Sequence, residues 1–322
     1  MKMIKTKTKK IVFSLIIIII FIFSIIGYIS LSLIGKIKKM EISKNNTDLG
    51  INTEENKEEV KNTGITNILF FGLDRRNPDE NSRTDCIMII SIDNDKKVVK
   101  ATSLMRDMYV PIPGKGSNRI NAAYAFGGPA LAIKTINSNF GLNIEKFVTV
   151  DFLGLEKLID TIGGVTINVT SDEAKVLNMY LKELNRLNNN TVPDVNAGVN
   201  TLNGRQAVAY ARIRYVGNGD YERTERQREV LNQIFKKLKA QGIIKLTSTI
   251  SEMLPYVETN LSNKEILSLS LDAAKFDTNN IIQFRIPADG TFKSENIRGM
   301  AVLVPNLNEN KKRLKEFIYG AQ

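Results

Sequence analysis

Residues 64–322 read as one α/β sandwich built on a mixed sheet, placed after a single apolar span. Three observations carry this reading. Short apolar runs of strand length are mixed with stretches of helical period, without strict alternation between them. From Asn67 onward about 255 residues follow with no second linker, enough for one sizeable core. Before them, Ile11–Gly35 is apolar and uncharged, long enough to cross a hydrocarbon layer of about 30 Å.

That span has Lys2, Lys5, Lys7, Lys9 and Lys10 on one side and Lys36, Lys38 and Lys39 on the other, after which acids appear. The larger basic excess is N-terminal. The positive-inside rule therefore expects residues 1–10 as a cytoplasmic tail, 11–35 as a single-pass transmembrane helix in the cell membrane, and the rest as an extracellular part. A cleaved signal peptide is the rival, but the run exceeds an h-region of roughly 7–15 residues and no A-x-A site follows. Residues 36–63 are polar, with scattered charge and little periodicity, and read as a stalk.

Within 64–322, Asn67–Leu73, Asp85–Ile92 and Val98–Leu104 are apolar runs of strand length. Asp93-Asn94-Asp95 supplies turn chemistry, so the second and third form a hairpin. Helical patterns follow at Asn121–Phe126 and at Pro129–Asn139, the latter with proline at its start. Phe147–Phe152 and Val165–Val169 read as buried strands, separated by a helix, Leu153–Ile162, that Gly163-Gly164 stops. Ser171–Asn188 is a capped helix and 189–203 is turn-rich. Gln206–Ala211 and Asp220–Ala240 are helical, the second with Val230, Leu231, Ile234, Phe235 and Leu238 on one face. A helix near Asn263–Lys275, a strand at Ile281–Ile286 and a closing helix from about Asn308 complete the chain.

The net charge of +11 is a terminal effect. Residues 1–40 hold eight lysines and no acid, leaving 37 basic and 34 acidic residues, or +3, in the remainder. General polycation binding to nucleic acid is not implied. The chain has one cysteine, Cys86, and no histidine. Internal disulfides, His/Cys zinc sites, Ser-His-Asp catalysis and Cys-His catalysis are thereby excluded. A metal would need oxygen ligands, which points to magnesium, calcium or manganese. Cys86 sits in the run CIMII and reads as a small core residue.

Arginine is distributed unevenly. Of 15 arginines against 30 lysines, six fall between residues 205 and 228 with no lysine among them, and five between 75 and 119. A guanidinium fork grips phosphate or carboxylate bidentately, whereas lysine is a mobile point charge. The pattern suggests a site for a multiply charged anion, with a solvated or salt-bridged helix face as the bland alternative. If the first three strands are antiparallel neighbours, Asp74, Arg75, Arg76, Arg83, Asp85 and Arg106 meet at one sheet edge. Two carboxylates facing several arginines suit a metal–phosphate complex. Arg212 and Arg214 would point the same way from an extended segment. Asp220 is placed as the N-cap of the following helix, with acid/base work as its other reading. Arg223 and Gln227 share a face of that helix, while Arg226 and Arg228 project elsewhere and read as solvated.

The segments NILFFGLD (67–74), RTDCIM (83–88), SLMRD (103–107), RINAAYAFGG (119–128), LNGRQAVAYARIR (202–214) and DYERTERQ (220–227) resemble the LytR–CpsA–Psr family. The likeness is clearest over residues 67–240. It implies a three-layer α/β/α sandwich with an apolar groove for a polyprenyl chain. It also implies an enzyme that moves a glycopolymer from a polyprenyl-pyrophosphate carrier onto peptidoglycan, forming a phosphodiester with Mg²⁺, for which Mn²⁺ could substitute. By this resemblance Asp74 and Asp85 match metal-binding aspartates. Arg83, Arg106, Arg212, Arg214, Arg223 and Gln227 match pyrophosphate-binding residues, and Arg106 and Asp220 are carried as catalytic. Cys86 stands where the family often has Thr or Ser, and Arg75 and Arg76 lie in a variable loop. Pyrophosphate hydrolysis and non-catalytic carrier binding by an anchored regulator are the alternatives. A cytoplasmic tail of about ten residues is too short for a DNA-binding module.

Overall fold

The computed structural model describes residues 38–52, 64–74, 82–187, 191–217, 219–241, 245, 248–249, 252–273 and 281–320. The expected membrane span, 11–35, lies outside them, as do Arg75 and Arg76. Among the described residues no helix is long and apolar enough to cross a membrane.

Seven strands form one sheet. They are β1 (Lys38–Lys39), β2 (Ile65–Leu73), β3 (Thr84–Asp93), β4 (Val98–Leu104), β7 (Lys146–Asp151), β10 (Val257–Thr259) and β11 (Ile282–Ile286). Their order is β1-β10-β7-β2-β3-β4-β11. β2, β3 and β4 are antiparallel neighbours, as expected, whereas β7 joins β2 and β11 joins β4 in parallel, so the sheet is mixed. Side chains alternate between its faces. Leu69, Phe71, Leu73, Ile87 and Ile89 enter a core with helix α1 (Ala122–Phe140) and helix α7 (Leu307–Tyr319). The opposite parity, Phe70, Gly72, Cys86 and Met88, faces a groove on the other side. That side is covered by α2 (Phe152–Thr161), α3 (Ser171–Leu187), α4 (Gly204–Ala211) and α5 (Asp220–Ala240), which share a second core. Helix α6 spans Asn263–Ala273.

Register breaks once. Gly72 pairs with Cys86, but Leu73 pairs with Thr84, so Asp85 is the extra residue of a β-bulge. By simple alternation with Ile87, Asp85 would face the α1 core; the bulge turns it to the groove, beside Cys86. Glycine at 72 is a packing requirement, because a Cβ there would stand 2.9 Å from that of Cys86.

Several expectations need correction. Residues 38–52 do not stand off as a stalk: Lys38–Lys39 pairs in parallel with β10, and Leu49 is buried against Asn137 of α1, whose amide donates to the Leu49 carbonyl at 2.9 Å. Val165–Val169 (β8) is outside the main sheet; it pairs with β9 (Gly198–Leu202), which lies within the segment expected to be turns. Two further hairpins pair β5 (Tyr109–Ile112) with β6 (Gly116–Arg119) and β12 (Phe292–Ile297) with β13 (Met300–Pro305); β5 is only four residues long, and β6 and β12 bury no side chain that would show alternation in sequence. The break expected within α1 is present. Gly127 and Gly128 leave helical geometry, Gly128 at φ 62°, and Pro129 opens the second half.

Candidate functional site

The groove between the sheet and α2–α5 has a volume of about 250 Å³ and two chemically distinct ends. Asp74, Asp85, Asp151, Arg212, Arg214, Arg223 and Gln227 make the charged end. Phe70, Met88, Val150, Leu155, Val208 and Ile234 line the remainder. Helix α5 runs along both. Arg223, Gln227, Val230, Leu231 and Ile234 all line the groove, at spacings of 4, 7, 8 and 11 residues from the first, one stripe of a 3.6-residue helix. A single helix face thus passes from guanidinium to aliphatic carbon.

Asp85 is the hub of the charged end. Arg106 Nη1 donates to its Oδ1, Arg214 Nη2 is 3.6 Å from its Oδ2, and Gln227 Nε2 is 3.5 Å from its backbone oxygen. Arg106 sits in a turn after β4. The Met105 N–H donates to Ile286 O at 2.8 Å, and the Asn121 N–H to Arg106 O at 3.3 Å. It reaches Asp85 without joining the groove wall. The two arginine windows, more than a hundred residues apart in sequence, therefore meet on one carboxylate.

Arg212 and Arg214 do not leave an extended segment. Arg212 is the C-cap of α4, at φ −91° and ψ −11°, so the two side chains diverge. An Asn203–Gln206 capping box fixes where α4 starts, and hence where it delivers Arg212. The Arg212 guanidinium stands over the rings of Phe152 and Tyr180, at 5.4 and 5.2 Å, while Arg214 turns to Asp85. Both still line the groove.

Other residues depart from expectation. Arg83 is exposed and is not part of the groove wall. Gly219, at φ 68°, holds the N-cap position of α5, and Asp220 is the first helical residue rather than the cap; its side chain lies outside the described residues. Arg226 and Arg228 project away from the groove as expected, but they are buried, not solvated. Arg226 binds Glu173 at 2.7 Å and Glu222 at 2.9 Å, tying α5 to α3. Arg228 donates to Gln283 at 2.8 Å and Ser103 at 3.0 Å, tying α5 to β11 and β4; burial lowers its pKa. Cys86 lines the groove instead of filling the core. Burial raises its thiol to about 12, with Asp85 adding to the rise and Arg223 and Arg228 opposing it, so no thiolate forms at neutral pH.

Three groove residues escaped the sequence reading. Asp151 ends β7 and caps α2, accepting from the Gly154 N–H at 2.8 Å. Phe152 reads in sequence as the end of a buried strand, where the structure has it open α2, and Tyr180 looks like an ordinary amphipathic-helix residue. The available signal was an acid directly after an apolar strand, which capping alone explains.

The donors present can be tested against Mg²⁺. Asp74 and Asp85 both line the charged end, and among the described residues no group of three or more His, Cys, Asp or Glu could hold a metal. Two carboxylates, with the remaining ligands supplied by phosphate and water, fit magnesium, which prefers one or two protein carboxylates plus substrate oxygens.

The LytR_cpsA_psr family model matches residues 31–316. Regulatory protein MsrR of Staphylococcus aureus is 34% identical over 264 residues, covering 80% of this chain and 76% of that protein. The polyisoprenyl-teichoic acid–peptidoglycan teichoic acid transferase TagU of Enterococcus faecalis is 29% identical over 265 residues, covering 78% and 81%. Among solved structures, TagT bound to LI-WTA superposes with a TM-score of 0.64 at 26% identity, over 80% of this chain and 92% of that one.

Proposed function

The chain belongs to the LytR–CpsA–Psr family, and from that membership we propose that it transfers a glycopolymer from a polyprenyl-pyrophosphate carrier to peptidoglycan, outside the membrane. The observation that carries the proposal is the groove itself, a charged end continuous with an apolar one along a single face of α5. A pyrophosphate joined to an isoprenoid has the same polarity along its length. TagU is named as a teichoic acid transferase and TagT has been solved with LI-WTA, which supports the same substrate class. Ile11–Gly35 serves as the membrane anchor, with the N-terminus in the cytoplasm and the domain facing the cell wall.

In the reaction, an acceptor sugar hydroxyl attacks the phosphorus next to the glycan. A new O–P bond forms, the pyrophosphate P–O bond breaks, and polyprenyl phosphate leaves. Arg212, Arg214 and Arg223 grip the phosphate oxygens, and Gln227 adds a neutral donor. Arg106 orients Asp85 by holding its Oδ1. Asp74 and Asp85 would hold Mg²⁺, which would supply positive charge against the phosphate oxygens. The apolar wall keeps the isoprenoid out of water. Asp220, at the start of α5, is the candidate to take the acceptor proton.

The test is turnover by the full chain in detergent, given a lipid-linked glycan, peptidoglycan fragments and Mg²⁺. Release of polyprenyl phosphate with the glycan attached to peptidoglycan is the expected result, lost in Asp85→Ala and on chelation. Free glycan as the sole product would make the chain a hydrolase. Carrier binding without release would make it a binding protein.

A further inference from the structure

At the charged end of the groove, one arginine is held by groups that take no part in phosphate chemistry. The Arg212 guanidinium carbon stands 5.4 Å from the Phe152 ring centroid and 5.2 Å from that of Tyr180. Both lie inside the roughly 6 Å reach of cation–π attraction. Phe152 opens α2, Tyr180 is in mid-α3 and Arg212 ends α4, so three helices contribute one group each. Glu183, one turn beyond Tyr180 on α3, approaches Arg212 Nη2 only to 3.8 Å, too far for a hydrogen bond. Two rings from different helices thus hold the same guanidinium within cation–π reach. A ring face takes up none of the guanidinium's N–H donors, so contact with the rings leaves the hydrogen-bonding capacity of Arg212 to an incoming anion.

An arginine free to rotate must be immobilised when it binds, at a cost in side-chain entropy. The pair of rings removes most of that cost before the anion arrives. We infer that Tyr180, with Phe152 as its counterpart, is a positioning residue that pre-sets Arg212 for a pyrophosphate oxygen at the charged end of the groove. The inference rests on the carrier-binding reading above and adds to it a residue with no charge and no phosphate contact of its own.

The experiment titrates the full chain in detergent with two probes, a short-chain polyprenyl pyrophosphate and the matching polyprenyl alcohol. Tyr180→Leu keeps an apolar wall but removes the ring face, and should weaken pyrophosphate binding about five- to thirtyfold. Tyr180→Phe restores the face and should bring affinity back to within about threefold of the starting protein. Alcohol binding should move little in either variant, which also shows that the groove is intact. In an Arg212→Gln background, Tyr180→Leu should cost nothing further, since the group it positions is gone. Equal losses in the Leu and Phe variants would overturn the positioning role. So would an undiminished Tyr180→Leu loss without Arg212, or an equal loss for the alcohol. If Arg212→Gln itself leaves pyrophosphate binding unchanged, the carrier-site reading falls together with the inference. The earlier outcomes remove only the role of Tyr180.

Discussion

Arg223 and Arg228 lie five residues apart on α5, both buried, and should fail in opposite ways when each is replaced by lysine. Arg223 lines the charged end of the groove. Arg223→Lys keeps the charge and loses the fork, removing one charge-assisted bond to phosphate worth about 1.5–3 kcal/mol, or roughly ten- to a hundredfold in affinity. Arg228 lies away from the groove and joins three elements through Gln283 at 2.8 Å and Ser103 at 3.0 Å. One ammonium on a flexible stem cannot satisfy both directions. Arg228→Lys should lose one such bond inside the protein, about 1.5–3 kcal/mol of stability, which lowers the melting temperature by roughly 3–12 °C at 2–4 °C per kcal/mol. Its affinity for ligand should change less than about threefold. The assay pairs thermal unfolding with titration of a short-chain polyprenyl pyrophosphate at fixed salt and Mg²⁺. Equal affinity losses in both variants would mean that the arginines act as a diffuse positive surface. An Arg223→Lys protein that melts as early as Arg228→Lys while binding normally would make Arg223 a structural residue too.

Further outcomes can be stated more briefly. Protease added to intact protoplasts should digest the domain beyond Gly35; full protection would reverse the proposed topology. Gly72→Ala forces two Cβ atoms to about 2.9 Å and should cost about 1–3 kcal/mol in urea unfolding, with Cys86→Gly as the compensating change; a single variant as stable as the parent would refute the packing argument. Hydrogen bonds from Lys146 and Ser262 depress the Glu265 carboxyl from 4.5 to about 2. Because the folded pKa lies below the unfolded one, this stabilisation is present above about pH 4.5 and fades as pH falls toward 2. Glu265→Gln should flatten that part of a melting-temperature profile; an unaltered acid limb would show the Lys146 pairing to be inconsequential.

The elements with strong periodicity were legible in the sequence. β2, β3 and β4 announce themselves as apolar runs, and α5 begins and ends where its pattern says. The carboxylate–arginine convergence was legible as well, since antiparallel pairing alone carries Asp74, Asp85 and Arg106 to one edge. The rest depended on contacts between residues distant in sequence. Nothing local distinguishes Arg226 and Arg228 from solvated arginines, because their partners Glu173, Ser103 and Gln283 lie in other elements. Arg212 and Arg214 looked like a two-residue extended pair because the end of α4 falls between Ala211 and Arg212 with no glycine or proline to mark it. The segment 38–52 is too polar to look like part of a core, yet Leu49 is buried there with Ile42 and Ile51 packed alongside.

The unpaired residue at position 85 separates two obligations that an unbroken ladder would bind together. In a regular strand every residue's face is tied to every other's, and adding or removing one position turns the whole run over. Here the phase of Ile87 and Ile89, which hold the α1 core, is already offset from that of Thr84 at the mouth. The extra residue at position 85 therefore re-aims only the mouth of the strand and leaves the buried face of Ile87 and Ile89 as it is. A carboxylate can thus face the groove while the sheet behind it keeps its own phase.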